Sequence, residues 1–145
     1  MMIVLPTTLI LAAACAVLSI WLGLRMVPYR IGKRIAVGDG GDPACLARMR
    51  AHANFAEYAP FVLALNAGVE LARGPSPVLW ALAAAFVLGR ILHPFGMDRA
   101  APNALRIVGM VLTWSTLALL AGWAIMLAYQ APWAVVPPRP AGITA

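Results

Sequence analysis

Long apolar runs separated by short polar stretches set the pattern of this chain. Four runs stand out, at about residues 3–27, 45–71, 77–95 and 104–128, and each is near or above the roughly 20 residues a helix needs to cross a bilayer. None shows strand-type alternation, and a single segment in lipid satisfies its own backbone only as a helix. The pattern predicts an all-α integral membrane protein, a four-transmembrane-helix bundle over residues 1–130. The first run carries no charge before Arg25 and continues past Cys15 to Leu24. It lacks a basic leading region, so it reads as a membrane helix and not as a cleaved signal. "PYRIGKRIAVGDGGDP" (28–43) reads as a polar loop, "RGPSP" (73–77) as a tight turn and "GMDRAAPN" (96–103) as the last link. "APWAVVPPRPAGITA" (131–145) is too rich in proline for a helix and reads as an irregular tail.

Composition agrees. Of 145 residues, 63% are hydrophobic and 11% charged, with a mean hydropathy of +0.85. A soluble domain is nearer half apolar and a quarter charged. The net charge of +6 is not laid out as the basic stripe of a nucleic-acid binder; it bears on orientation. Arg30, Lys33 and Arg34 lie in the first connection and Arg99 in the third, flanked by Arg25, Arg48, Arg50, Arg90 and Arg106. The second connection has only Arg73. The positive-inside rule then places both termini outside and the first and third connections in the cytoplasm.

"RMRAHANFAEYAPF" (48–61) is the exception to the apolar pattern. At helical spacing, Arg50, Asn54, Glu57 and Phe61 fall within about 60° of one another, with Tyr58 on the flank and Arg48 and His52 nearly opposite. Arg50 and Glu57 stand roughly 10 Å apart along the axis. That spacing suits the two ends of a small zwitterion: Arg50 for a carboxylate, Glu57 for an ammonium, Asn54 for an amide between them. The plainer roles are headgroup anchoring for Arg48 and Arg50, interhelical bonding for Asn54, and an ion pair with another helix for Glu57. Pro60 cannot donate to the carbonyl of Ala56, which leaves an acceptor free near the motif.

In the third run, Ala81, Ala85 and Gly89 form a small-residue stripe that permits close helix contact. His93 continues it, with Arg90 one turn earlier. Arg106 opens the fourth run, either as an interfacial anchor or as a cation aimed at the site. Two histidines and two cysteines without ligand spacing predict no metal.

"RMRAHANFAEYAPF", "GRILHPFGM" and "NALRIVGMVLTW", with "RIAVGDGG" in the first connection, resemble the MAPEG family of membrane proteins in eicosanoid and glutathione metabolism, and its small bacterial members most. The likeness covers about residues 25 to 115, and the spacing of Arg50, Asn54, Glu57 and Tyr58 is its most specific part. It implies a homotrimer in a bacterial inner membrane, with glutathione bound between subunits and a lipophilic small molecule entering from the lipid. It further implies glutathione contacts at Arg50, Asn54, Glu57, Tyr58, His52, His93 and Arg30, with Arg106 stabilising the thiolate. Met97, Ile107 and Met110 depart from the tyrosines and serine of some members, which argues against specific eicosanoid chemistry. The implied activity is glutathione transfer or peroxide reduction. Two other readings stand beside it: a small proton- or cation-coupled transporter using Glu57, and a non-catalytic protein of the same fold.

Overall fold

The computed structural model describes residues 4–131 and holds four helices: α1 (Pro6–Lys33), α2 (Pro43–Arg73), α3 (Pro77–Met97) and α4 (Ala104–Gln130). Beyond Ala131, the tail read as irregular lies outside the described residues. The helices run up and down in chain order. α2 touches all three others, α3 likewise, and α1 and α4 do not meet. The bundle is therefore a central α2–α3 pair flanked by α1 and α4.

Three helices, α1, α3 and α4, are long and apolar enough to cross a membrane. α2 falls short on composition because its polar residues dilute it. It is one of the two helices that touch all three others. The outer faces are apolar instead: Val17, Ile20 and Leu24 on α1, Leu88 on α3, and Val111, Leu119 and Ile125 on α4 are all exposed. The core is drawn from one face of each helix, such as Leu11, Cys15, Leu18 and Leu22 on α1, at spacings of three and four. It meets Phe55 and Val62 of α2, Phe86 of α3 and Leu120 of α4.

The first connection is shorter than the sequence pattern indicates. α1 continues through Pro28 to Lys33 and ends at Arg34 in the left-handed conformation. Tertiary contacts hold these extra turns: the Tyr29 hydroxyl donates to Asp42 Oδ1 at 2.9 Å, and the Arg48 guanidinium stacks on the Tyr29 ring at 4.4 Å. Asp42 also caps α2 by accepting from Ala44 N and Cys45 N. Its carboxyl is held below the usual carboxylate range, chiefly by the Cys45 amide and then by the Tyr29 hydroxyl. Gly40 has a positive φ of 62°, and a Cβ there would meet the Ile35 side chain at 2.8 Å, so this turn favours glycine.

At the end formed by the α1–α2 and α3–α4 connections, Asp98 takes Arg25 of α1 in an ion pair and has Arg48 of α2 within 3.8 Å. Arg48 also donates to the Arg25 carbonyl at 3.0 Å, and Arg25 lies over Trp21 and Phe95. Arg48 thus braces the bundle rather than reaching for headgroups. Asp98→Asn is expected to lower stability by on the order of 1 kcal/mol, since the network is partly exposed. Detergent unfolding should show a larger deficit at low salt than at high salt.

Candidate functional site

A cavity of about 470 Å³ opens beside that end of the bundle, between α2, α3, the α3–α4 connection and α4. Its polar wall consists of Arg50, Asn54, His93, Asn103 and Arg106. No carboxylate lines it. Its other wall is a stripe along α4, Ile107, Met110, Val111 and Trp114, with Met97 beside it. Those four α4 positions recur at three and four residues, so one helical face supplies them all.

Local structure sets each polar group. Asn103 caps α4 by accepting from Arg106 N at 3.0 Å, while its NH2 donates to the carbonyls of Gly96 (2.8 Å) and Ala100 (3.1 Å). One side chain thereby shapes the connection and aims the first turn of α4, which carries Arg106. Gly96 lies so close that a Cβ would come within 2.4 Å of Arg106 N. Further along, Gly89 and Gly109 face each other: a Cβ on either would come within 2.9 Å of the other's carbonyl oxygen. The small-residue stripe read on α3 works here, at its Gly89 end, whereas Ala81 is exposed. His93 backs against Gly109, is buried, lines the cavity, and has no hydrogen-bond partner at Nδ1 among the described residues.

Behind Asn54 stands Arg90, a residue the sequence reading treated only as a flanking charge. It is 1% exposed and donates to Asn54 Oδ1 at 2.9 Å. Its Nε and Nη1 have no partner, and no acidic group pairs with it among the described residues. With its oxygen engaged, Asn54 offers its NH2 as a donor. The sequence signal was there: an arginine three residues before His93 inside an apolar run marks a site or needs a partner.

The structure brings Arg50, Asn54, His93 and Arg106 to one cavity and leaves four other site residues outside its lining. Glu57 is exposed on the outer face of α2. His52 is half-buried and makes no side-chain hydrogen bond among the described residues. Tyr58 lies behind the α4 wall, its hydroxyl accepting from Trp114 Nε1 at 3.0 Å. Arg30 folds the first connection by donating to Gly38 O at 2.9 Å.

The lining can accommodate an anion beside an apolar group. Guanidinium and amide donors recognise anions such as carboxylates. Next to them stands the α4 stripe, with Ile107, Val111 and Trp114 each about half exposed. A helical membrane protein with such a site is one class. The particular family follows from comparison: the chain belongs to the MAPEG family, whose profile it matches over residues 8–126. It is also similar to the inner membrane protein YecN of Escherichia coli strain K12 and of strain O6:H1. Each is 28% identical over 125 residues, covering 86% of this chain and 92% of the relative.

Proposed function

We propose that this protein is a glutathione-dependent transferase of the bacterial inner membrane, with the α1–α2 and α3–α4 connections in the cytoplasm. The observation that carries the reading is the two-sided cavity: cationic and amide donors on one wall, and an apolar wall on the other. Arg50 and the Asn54 amide take the carboxylate and peptide groups of glutathione. Arg106 takes its sulfur. A free thiol has a pKa near 8.5 and is mostly protonated at neutral pH. A guanidinium at hydrogen-bonding distance favours the thiolate and lowers that value. The thiolate then attacks a lipophilic electrophile held on the α4 wall, a C–S bond forms and the leaving group departs. A hydroperoxide in the same place gives its alcohol, with a second glutathione completing the disulfide and water.

Exposed Glu57 supports assembly with further copies of the chain, and the family likeness makes their number three. An exposed carboxylate on a membrane helix is costly unless partnered, and a neighbouring copy is the natural partner for it and for the glutathione ammonium. The same position weakens the transporter reading, because Glu57 does not line the cavity.

Glutathione is expected to raise the thermal stability of the detergent-purified protein. Arg106→Ala should lower kcat/KM toward 1-chloro-2,4-dinitrobenzene by about 100-fold, the scale of losing one transition-state donor. It should also erase the ultraviolet absorbance of bound thiolate while leaving glutathione affinity nearly intact. Full activity with an unaltered pH profile in Arg106→Ala would remove Arg106 from the mechanism.

A further inference from the structure

The exposed apolar stripe of α1 runs into arginine. Val17, Ile20, Leu24, Val27 and Ile31 are all exposed and recur at three and four residues, so they share one helical face. The next step of the same series is Arg34. The 28 residues of α1 reach roughly 42 Å at about 1.5 Å each, as far as a bilayer with its headgroups. A helix of that length set across the bilayer ends among the headgroups. There a groove of about 420 Å³ lies between the last turns of α1 and the start of the first connection. It is lined by Val27, Arg30, Ile31, Arg34, Ile35 and Ala36, and it shares no residue with the cavity beside α4.

Arg30 and Arg34 stand one helical turn apart, a like-charged pair that repels. Neither has an acidic partner among the described residues. Arg30 is turned into the connection, donating to Gly38 O at 2.9 Å and to Ala36 O at 3.4 Å. The nearby acids are engaged elsewhere: Asp42 with Tyr29 and Lys33, and Asp39 with the Gly41 amide. The groove thus joins a cationic end to an apolar side. We propose that it seats an anionic phospholipid, with the phosphate on Arg34 and the first methylenes of an acyl chain along Val27 and Ile31. A guanidinium meets two phosphate oxygens at once. A soluble phosphate would use the arginine and leave the apolar stripe uncovered, whereas a lipid covers both. A zwitterionic lipid brings its own cation to the same place, so the basic groove favours a headgroup of net negative charge.

Native mass spectrometry of the full chain, titrated with phosphatidylglycerol or phosphatidylcholine of identical acyl chains, tests it through the Kd of the first bound lipid. In wild type, phosphatidylglycerol should bind about fivefold tighter, the scale of one basic side chain at a charged lipid surface. Arg34→Gln should remove that preference. Arg99→Gln should keep it, because Arg99 is exposed on the α3–α4 connection and lies outside the groove. Ile31→Ser should weaken both lipids alike by about fivefold, the scale of roughly 40 Å² of lost apolar contact. Excess inorganic phosphate at constant ionic strength should leave lipid binding unchanged. Equal affinity for the two lipids in wild type would overturn the proposal, as would lipid binding that Ile31→Ser leaves intact. Equal losses in Arg34→Gln and Arg99→Gln would reduce the effect to diffuse surface charge. Displacement of the lipid by inorganic phosphate would make the groove a soluble-anion site. A change in the number of copies per assembly in Arg34→Gln, with the lipid preference intact, would give the groove to a neighbouring chain.

Discussion

Replacing Glu70 with leucine should cost on the order of 4 kcal/mol of stability, the scale of breaking a buried, fully bonded carboxylate. Glu70 is 2% exposed near the end of α2. It accepts from Thr7 N and Thr8 N at 2.8 Å each, and from the Thr8 hydroxyl at 2.7 Å. Those amides belong to the first turn of α1, whose own N-cap residue, Leu5, has no capping side chain. Pro6 at the first position has no N–H to satisfy. Glu70 therefore caps α1 from another helix, and its charge sits at the positive end of the α1 dipole. Asn66 extends the knot by donating to Thr8 Oγ1 at 2.9 Å. Leucine would leave buried amides without an acceptor. Glu70→Gln should fall about halfway, because one amide oxygen accepts while the NH2 confronts donors. Equilibrium unfolding in mixed micelles decides it: a loss below 1 kcal/mol for Glu70→Leu would mean that water or lipid headgroups already serve those amides.

Gly96→Ala should be the most damaging single-methyl change at the site. The added carbon would meet Arg106 N at 2.4 Å and Arg106 Cα at 2.7 Å, and both are backbone atoms that cannot rotate aside. Overpacking of this kind costs about 1–3 kcal/mol. The relief available is for α4 to swing away, which carries Arg106 off its mark, and a displacement of about 1 Å costs roughly 100-fold in rate. Gly23→Ala is the control, because a Cβ there has nothing within 4 Å and alanine favours a helix by up to about 1 kcal/mol. The pair is read by glutathione-dependent thermal stabilisation and by turnover. Equal behaviour of the two variants would show that α3 and α4 are not locked at this crossing.

The helices and the candidate site were legible to different degrees. Four apolar runs of membrane-spanning length mark α1 to α4, and the polar positions of 48–61 single out α2. The extension of α1 past Pro28 was not legible, because its support is Tyr29 bonding to Asp42 and stacking on Arg48. Two acids on one helix show the limit best. Glu57 stands out in the sequence as the carboxylate within the polar motif, yet it lies exposed on the outer face. Glu70 carries no comparable signal in the sequence, yet it is buried with three donors, the farthest 63 positions away in the chain. Likewise Arg90 reads as a boundary charge, while the fold buries it against Asn54.

Hydropathy and helical period are properties of neighbouring residues, so the chain alone determines its helices, its place in a membrane and the cluster of polar side chains that marks its family. Which of those side chains meet depends on how helices distant in sequence slide and rotate against one another. That register is set by close contacts such as Gly89 on Gly109 and Gly96 on Arg106. Only the packed bundle therefore decides that Arg50, Asn54, His93 and Arg106 share a cavity, that Glu70 caps α1, and that Tyr58 bonds to Trp114.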